Sequence, residues 1–293
     1  LFHCSNLYRI PQQEALAQLL NRSAFTGKAF FCNSGAEANE GAIKLIRRYC
    51  HTKGARGSKI ITFKGSFHGR TLATVAATGQ DKFKYGYDPI PEGFVSVPYG
   101  DIEALEAAID TSIGAVMLEP IQGESGIQVP PSGYLKKVRA LCDRYGLLMA
   151  LDEVQTGLCR TGAMFAYMHE EIEPDIMTMA KALANGFPVG AILARPEVAA
   201  AFEPGSHAST FGGNPLAMAA GVATLEVMRK RDMARKSMTK GLYFRKRLSD
   251  LRSKHAAIKD IRGKGLMIGV EFEPVVGFLP KLGLEKGILL NVM

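Results

Sequence analysis

Short apolar runs recur along the chain, separated by longer stretches in which apolar positions return every three or four residues. The short runs predict strands at 29–32, 59–63, 114–119, 147–152, 176–180 and 190–194. The longer stretches predict helices at 36–51, 102–109, 133–145 and 215–229. Residues 115–118 and 147–151 are apolar without a break, the pattern of strands covered on both faces. This alternation predicts an α/β architecture, with a mostly parallel sheet and helices on both faces, over a large domain spanning 1–225. Past about residue 230 the texture changes. A basic helix, a strand at 266–272, a short helix near 279–286 and a strand at 288–291 predict a smaller α/β domain over 226–293, without a closing helix.

Composition narrows the function classes. The chain has 293 residues, 47% of them apolar, enough to bury a sizeable core. No apolar run is long enough to span a bilayer, and no membrane partner is expected. The first ten residues, LFHCSNLYRI, lack the charged-then-apolar pattern of a secretory signal. They begin with Leu, as a fragment or a processed chain would. Five cysteines, at 4, 32, 50, 142 and 159, show no metal-type spacing, and no metal is expected. They predict a reduced, cytoplasmic protein. The net charge is +8, yet 229–254 alone holds eleven Lys/Arg against two Asp, so the remainder sums to −1. With Met238, Leu242, Leu248 and Leu251 at roughly helical spacing, that segment predicts the solvated face of an amphipathic helix. A nucleic-acid surface would need more base-reading or aromatic residues than Tyr243 and Phe244 provide.

Open parallel sheets bind ligands beyond the carboxyl ends of their strands, so the residues that follow each strand are the candidates. Asn33-Ser34-Gly35-Ala36-Glu37 opens a helix with the S-x-x-E spacing of a capping box. It reads either as a well-capped helix or as a place where Gly35 admits an anion to free N–H groups. The run 147–152 ends in Asp152, which either caps a turn or pairs, in a partly dry site, with a cation such as a protonated pyridine nitrogen. The run 176–180 is followed by Lys181. This residue is either a solvent-reaching lysine or a desolvated amine with a lowered pKa, usable as a nucleophile. Asp152 and Lys181 stand 29 residues apart, which suits a strand–crossover–strand unit that delivers both to one sheet edge. A phosphate cradle, a carboxylate and a strand-end lysine are together what pyridoxal 5'-phosphate (PLP) requires. Phe67 could stack on a planar ring, Arg70 could clamp a carboxylate, and the polar loop 209–215 offers a further anion contact.

The segments SNLYRIPQQEALAQLL, FFCNSGAEANEGAIKLIR, SFHGRT, EPIQGESG, LLMALDEVQTGLCRTG, PDIMTMAKALANGFPVGA, STFGGNP and RGKGLMIGVEF, in this order and spacing, resemble the class III aminotransferases of PLP fold type I, in particular their acetylornithine branch. The resemblance covers nearly the whole chain. It implies transfer of an amino group from N-acetylornithine to a 2-oxo acid, 2-oxoglutarate, as in arginine biosynthesis. It also leaves open ornithine, succinylornithine or 4-aminobutyrate as the donor, or a PLP-binding protein without full activity. It implies that Gly35 and Ala36 bind the PLP phosphate, that Phe67 and Val154 cover the two ring faces, and that Asp152 pairs with the ring nitrogen. Gln155 would contact the ring hydroxyl oxygen, and Lys181 would hold the cofactor covalently. Thr210 would reach the phosphate of a neighbouring subunit, so a homodimer with shared sites is implied. Arg70 would bind a substrate carboxylate, and Glu124 would help the site receive two substrates in turn. Family members also carry an N-terminal part of the large domain ahead of the segment matching Cys4, and an Arg before paired prolines in the small domain that partners the residue matching Glu124. Here no Arg follows Arg262, so the large domain is expected to lack its N-terminal part and the small domain to be incomplete.

Overall fold

The computed structural model describes residues 1–54 and 57–293. Strands β1 (Lys28–Cys32), β2 (Lys59–Phe63), β3 (Phe94–Val97), β4 (Ile113–Leu118), β5 (Leu148–Asp152), β6 (Ile176–Met179) and β7 (Gly190–Ala194) form one sheet in the order β1-β7-β6-β5-β4-β2-β3. β7 is antiparallel to both neighbours. The pairs joining β6, β5, β4, β2 and β3 are parallel. The expected strands therefore form to within one residue at each end. β3 is an addition. It is a four-residue edge strand with one buried residue, too little apolar cover to stand out in the sequence.

The helices are α1 (Pro11–Ser23), α2 (Gly35–Lys53), α3 (Leu72–Ala77), α4 (Ile102–Ala107), α5 (Tyr134–Tyr145), α6 (Pro196–Ala199), α7 (Pro215–Lys230), α8 (Met233–Arg252) and α9 (Leu279–Glu285). Successive strand residues point to opposite faces, and the core divides accordingly. Ile61, Val116, Met149 and Met177 share one apolar cluster with Leu20 of α1, Val138 of α5 and Met218 of α7. Their neighbours Ile60, Ala115, Ala150 and Ile176 share the other with Ala42 and Ile46 of α2 and Val198 of α6. Both faces of the sheet are thus covered by helices.

The region after α7 departs from expectation in three places. The basic stretch itself forms one helix, α8, as expected, and the turn that separates it from α7 carries Asp232 at φ +46°. On α8 the fully covered positions are Ser237 and Gly241, while Leu242 and Leu251 stay 53% and 46% exposed. The helix docks through its small residues because Gly241 lies against the Gly265 carbonyl with no room for a Cβ. Strand β8 (Ile258–Lys264) pairs antiparallel with β9 (Met267–Phe272) as a separate hairpin. The run 288–291 forms no strand. A strand must find partners for its backbone groups, and the Ile288 N–H turns back instead to the Gly283 carbonyl, 2.8 Å away. All five cysteines are free thiols. Among the described residues no helix is long and apolar enough to cross a membrane.

Candidate functional site

β1, β2, β4, β5 and β6 direct their carboxyl ends to one edge of the sheet, and antiparallel β7 begins there. A cleft of about 420 Å³ opens at that edge. Its walls come from the segments the strands deliver: Ser34–Ala36 after β1, Phe67–Arg70 after β2, Glu119 after β4, Asp152, Val154 and Gln155 at β5, and Lys181 after β6. Asp152 pairs in register with Thr178 on β6, three residues before Lys181. The 29-residue spacing therefore does bring carboxylate and amine to one place, although the crossover between them holds only a short 3-10 helix, Ala166–Glu170.

Asp152 is 3% exposed. Its Oδ2 accepts from Asn39 Nδ2 and from the His68 Nδ1–H, both at 2.8 Å, and its Oδ1 accepts from the Val154 N–H at 3.0 Å. The His68 tautomer follows from the carboxylate, which can only accept. Asn39 is itself fixed, donating to the His68 carbonyl at 2.7 Å and accepting from Thr178 Oγ1 at 2.7 Å. Burial pulls the His68 pKa down, but its hydrogen bond to Asp152 and the charges of Asp152 and Glu119 outweigh burial and leave it raised. His68 Nε2 is buried without a hydrogen-bond partner among the described residues. The carboxylate is thus oriented by dipoles and one titratable ring.

Lys181 opens onto the cleft in a left-handed backbone conformation, φ +43°. Such a φ is costly for a residue with a side chain, and strain of this kind gathers where a side chain must be aimed. The cleft walls desolvate the amine and lower its pKa, against the opposing pull of Asp152, Glu124 and Glu119. Two further carboxyl groups are buried nearby, Glu119 on the cleft wall and Glu153 next to Asp152 in the chain. Burial pushes Glu119 and Glu153 each up to about 7. Glu153 turns away from the cleft and accepts from Thr156 Oγ1 and the Tyr167 N–H.

The first turn of α2 faces the cleft with amides that have no acceptor within the helix. Ser34 Oγ accepts from the Glu37 N–H at 3.2 Å, but Glu37 reaches back to the Asn33 backbone N–H rather than that of Ser34. The expected capping box is therefore displaced by one residue. Gly35 packs on Val154, and a Cβ there would sit 2.9 Å from Val154 Cγ1. Gly69, at φ +141°, brings the Phe67–Arg70 loop against Ala36 in the same way. These close approaches leave a lip of bare backbone in a cleft that Phe67 and Val154 also line. A phosphate and a flat heteroaromatic ring fit that donor set, with Asp152 for the ring nitrogen and Lys181 for a carbonyl carbon.

The structure brings Gly35, Ala36, Phe67, Arg70, Asp152, Val154, Gln155 and Lys181 to this one cleft. Arg70 is exposed at its mouth, its guanidinium 5.4 Å from the Phe67 ring centre and 4.2 Å from that of Phe83. Glu124 stands one residue further out, its Oε1 accepting from Gln155 Nε2 at 2.8 Å. Thr210 is not part of the cleft. It lies exposed in an adjoining depression with Asn33 and Ser209. Sequence reasoning missed Asn39, His68, Glu119 and the Phe187–Val189 wall. Asn39 alone left a local signal, a polar residue among the apolar positions of α2.

The class-III aminotransferase family model matches residues 1–292. The acetylornithine aminotransferase of Caldanaerobacter subterraneus subsp. tengcongensis is 53% identical over 99% of this chain and 74% of its own length. The crystal structure of ornithine aminotransferase from Toxoplasma gondii superimposes with a TM-score of 0.94 at 34% identity, covering 98% of this chain and 70% of that one. A further structure of that enzyme shows PLP at partial occupancy in its active site.

Proposed function

The chain belongs to the class-III aminotransferases, a family that uses PLP, and we propose that it moves the terminal amino group of N-acetylornithine to 2-oxoglutarate at the cleft described above. The observation that carries this reading is the convergence of Lys181, Asp152 and the α2 amides on one cleft. The donor is read from the 53% identical relative.

When bound, PLP supplies an electron sink for charge developing at the substrate carbon and carries the amino group between the two half-reactions. The chain's residues supply the rest. The N–H groups of Gly35 and Ala36 hold the phosphate at the positive end of α2. Phe67 and Val154 pack on the two ring faces and exclude water from them. Asp152, held by Asn39, His68 and the Val154 N–H, keeps a proton on the ring nitrogen. Gln155 orients the ring hydroxyl. Lys181 anchors the cofactor through Nζ. The same Nζ would, when free, take the proton from the amine-bearing carbon of the substrate and return it. Desolvation helps this step by enlarging the neutral fraction of the amine. Arg70 receives a substrate carboxylate at the mouth. Glu124, held by Gln155, adapts the site to its two substrates. Thr210, exposed beside the cleft, serves the phosphate of a second copy in a homodimer.

Adding PLP to the protein should produce an absorbance band at the edge of the visible, absent in Lys181→Ala. N-acetylornithine without any 2-oxo acid should then discharge the band, and faster than ornithine does. A wild-type chain that forms no band would sink the reading. A band that ornithine discharges faster would reassign the donor.

A further inference from the structure

Glu119 is the one buried carboxyl group on the cleft wall that the mechanism leaves without a task. It is 4% exposed and, among the described residues, meets no cation in a salt bridge. Its two oxygens are divided between two loops. Oε2 accepts from the Phe67 N–H at 3.0 Å, and Oε1 accepts from the Gly123 N–H at 3.2 Å. The first loop presents the ring expected to lie on the cofactor. The second presents Glu124. Gly123 in turn lies so close to the Gln155 amide that it has no space for a Cβ, and Gln155 holds Glu124. An unbroken series of contacts therefore runs from Phe67 through Glu119 and Gly123 to the Gln155–Glu124 pair.

A carboxylate suits this place because both of its oxygens accept, and both loops offer only an N–H. A carboxamide would turn an NH₂ group towards one of those N–H groups and release that loop. The segment carrying Glu119 is tied independently. Tyr99 OH lies 3.0 Å from the carbonyls of both Glu119 and Pro120, so the side chain is presented from a fixed backbone.

We propose that Glu119 is a positioning residue that holds the cofactor-stacking Phe67 loop and the substrate-receiving Gly123–Glu124 loop in one fixed relation. This rests on the function proposed above. The closing experiment compares wild type with Glu119→Gln, Glu124→Gln and the double variant, each loaded with PLP. Glu119→Gln should shift the absorbance maximum of the bound cofactor and raise KM for the amino donor about tenfold, with a smaller change in kcat. If Glu119 acts through Glu124, the two substitutions must be non-additive, so the double variant should have a donor KM within about twofold of the worse single variant. Multiplying effects would overturn the proposal. So would an unmoved spectrum in Glu119→Gln. Tyr99→Phe loosens the same backbone but keeps both carboxylate bonds, and an equal spectral and KM change there would reduce Glu119 to general support and also overturn it. If Glu119→Gln does not fold, Glu119→Asp replaces it, since a side chain one methylene shorter cannot span both amides. A wild-type chain without the PLP band would remove the parent reading. A wild-type chain with the band beside an unaffected Glu119→Gln removes only this one.

Discussion

Two buried aspartates sit at opposite edges of the same pair of strands, and their partners differ in kind. Asp175 precedes β6 and is 8% exposed. Its Oδ2 accepts from Arg139 Nη1 and the Met149 N–H, both at 2.7 Å, and Arg195 Nη1 stands 3.6 Å from Oδ1. Asp152 ends β5 and, among the described residues, meets no Lys or Arg in a salt bridge. It is answered by an amide side chain, a backbone N–H and an imidazole. A buried carboxylate matched by the protein's own guanidinium groups is a clamp, because its charge is already spent. One held by an amide, a backbone N–H and a single imidazole keeps more of its charge available for a cation brought from outside, and the cleft supplies the way in.

The strongest way to break this comparison is to neutralise each aspartate in turn. Asp152→Asn should lower kcat by about 10²–10³-fold, the scale of losing one preorganised electrostatic partner, with little change in unfolding midpoint. Asp175→Asn should do the reverse. It takes the buried partner from Arg139 and Arg195, which keep Asp143 and Glu173, and should cost about 2 kcal/mol in urea unfolding, while activity per folded molecule stays near wild type. A loss of activity at Asp175 equal to that at Asp152 would erase the distinction.

The cleft side should also reveal itself in pH dependence. His68 is raised by Asp152, while burial holds Glu119 and Glu153 near 7. All three bind protons more tightly in the folded chain than in the unfolded one. Their stabilisation is therefore fully present on the acid side and is lost as pH rises. For the two glutamates the loss falls between about 4.5 and about 7, and for His68 it falls above about 6.5, through the raised folded value. Denaturant titrations across this window should show stability falling with pH, and Glu153→Gln should flatten the fall. A slope in Glu153→Gln no different from that of wild type would contradict the burial of that carboxyl group, whereas the wild-type slope also carries the opposing contribution of His169 and His207, whose pKa values burial lowers. The smallest expected effect separates the two cations of the clamp. Arg195→Ala, whose side chain is 34% exposed at 3.6 Å from the carboxylate, should cost about 1 kcal/mol or less in unfolding. Arg139→Ala should cost several times as much, being 13% exposed and hydrogen-bonded at 2.7 Å.

The legible part of this molecule was the part written locally. Apolar runs ending in Asp152 and before Lys181 marked the strand ends, and their separation placed them together. The polar support of Asp152 was illegible because it comes from Asn39 and His68, 113 and 84 residues away. No single-chain pattern signals such a meeting. Local composition also misled where packing decided the outcome. The apolar run at 288–291 pairs with no strand among the described residues, and β8 was hidden by the charged residues in Ile-Lys-Asp-Ile-Arg-Gly-Lys, whose side chains need only one covered face. Leu242 and Leu251 fit a helical seam, yet the close approach of Gly241 to Gly265 turns α8 so that they face water.

The left-handed backbone at Lys181 has a consequence for selection. Glycine would relax that conformation by about 1 kcal/mol, so at this position a mutation easily reached by stability screening would abolish the nucleophile. Libraries sorted for thermal resistance alone should therefore enrich Lys181→Gly, and those sorted for turnover should purge it. Opposed enrichment at a single codon would mark where chemistry is retained against the folding preference of its own residue.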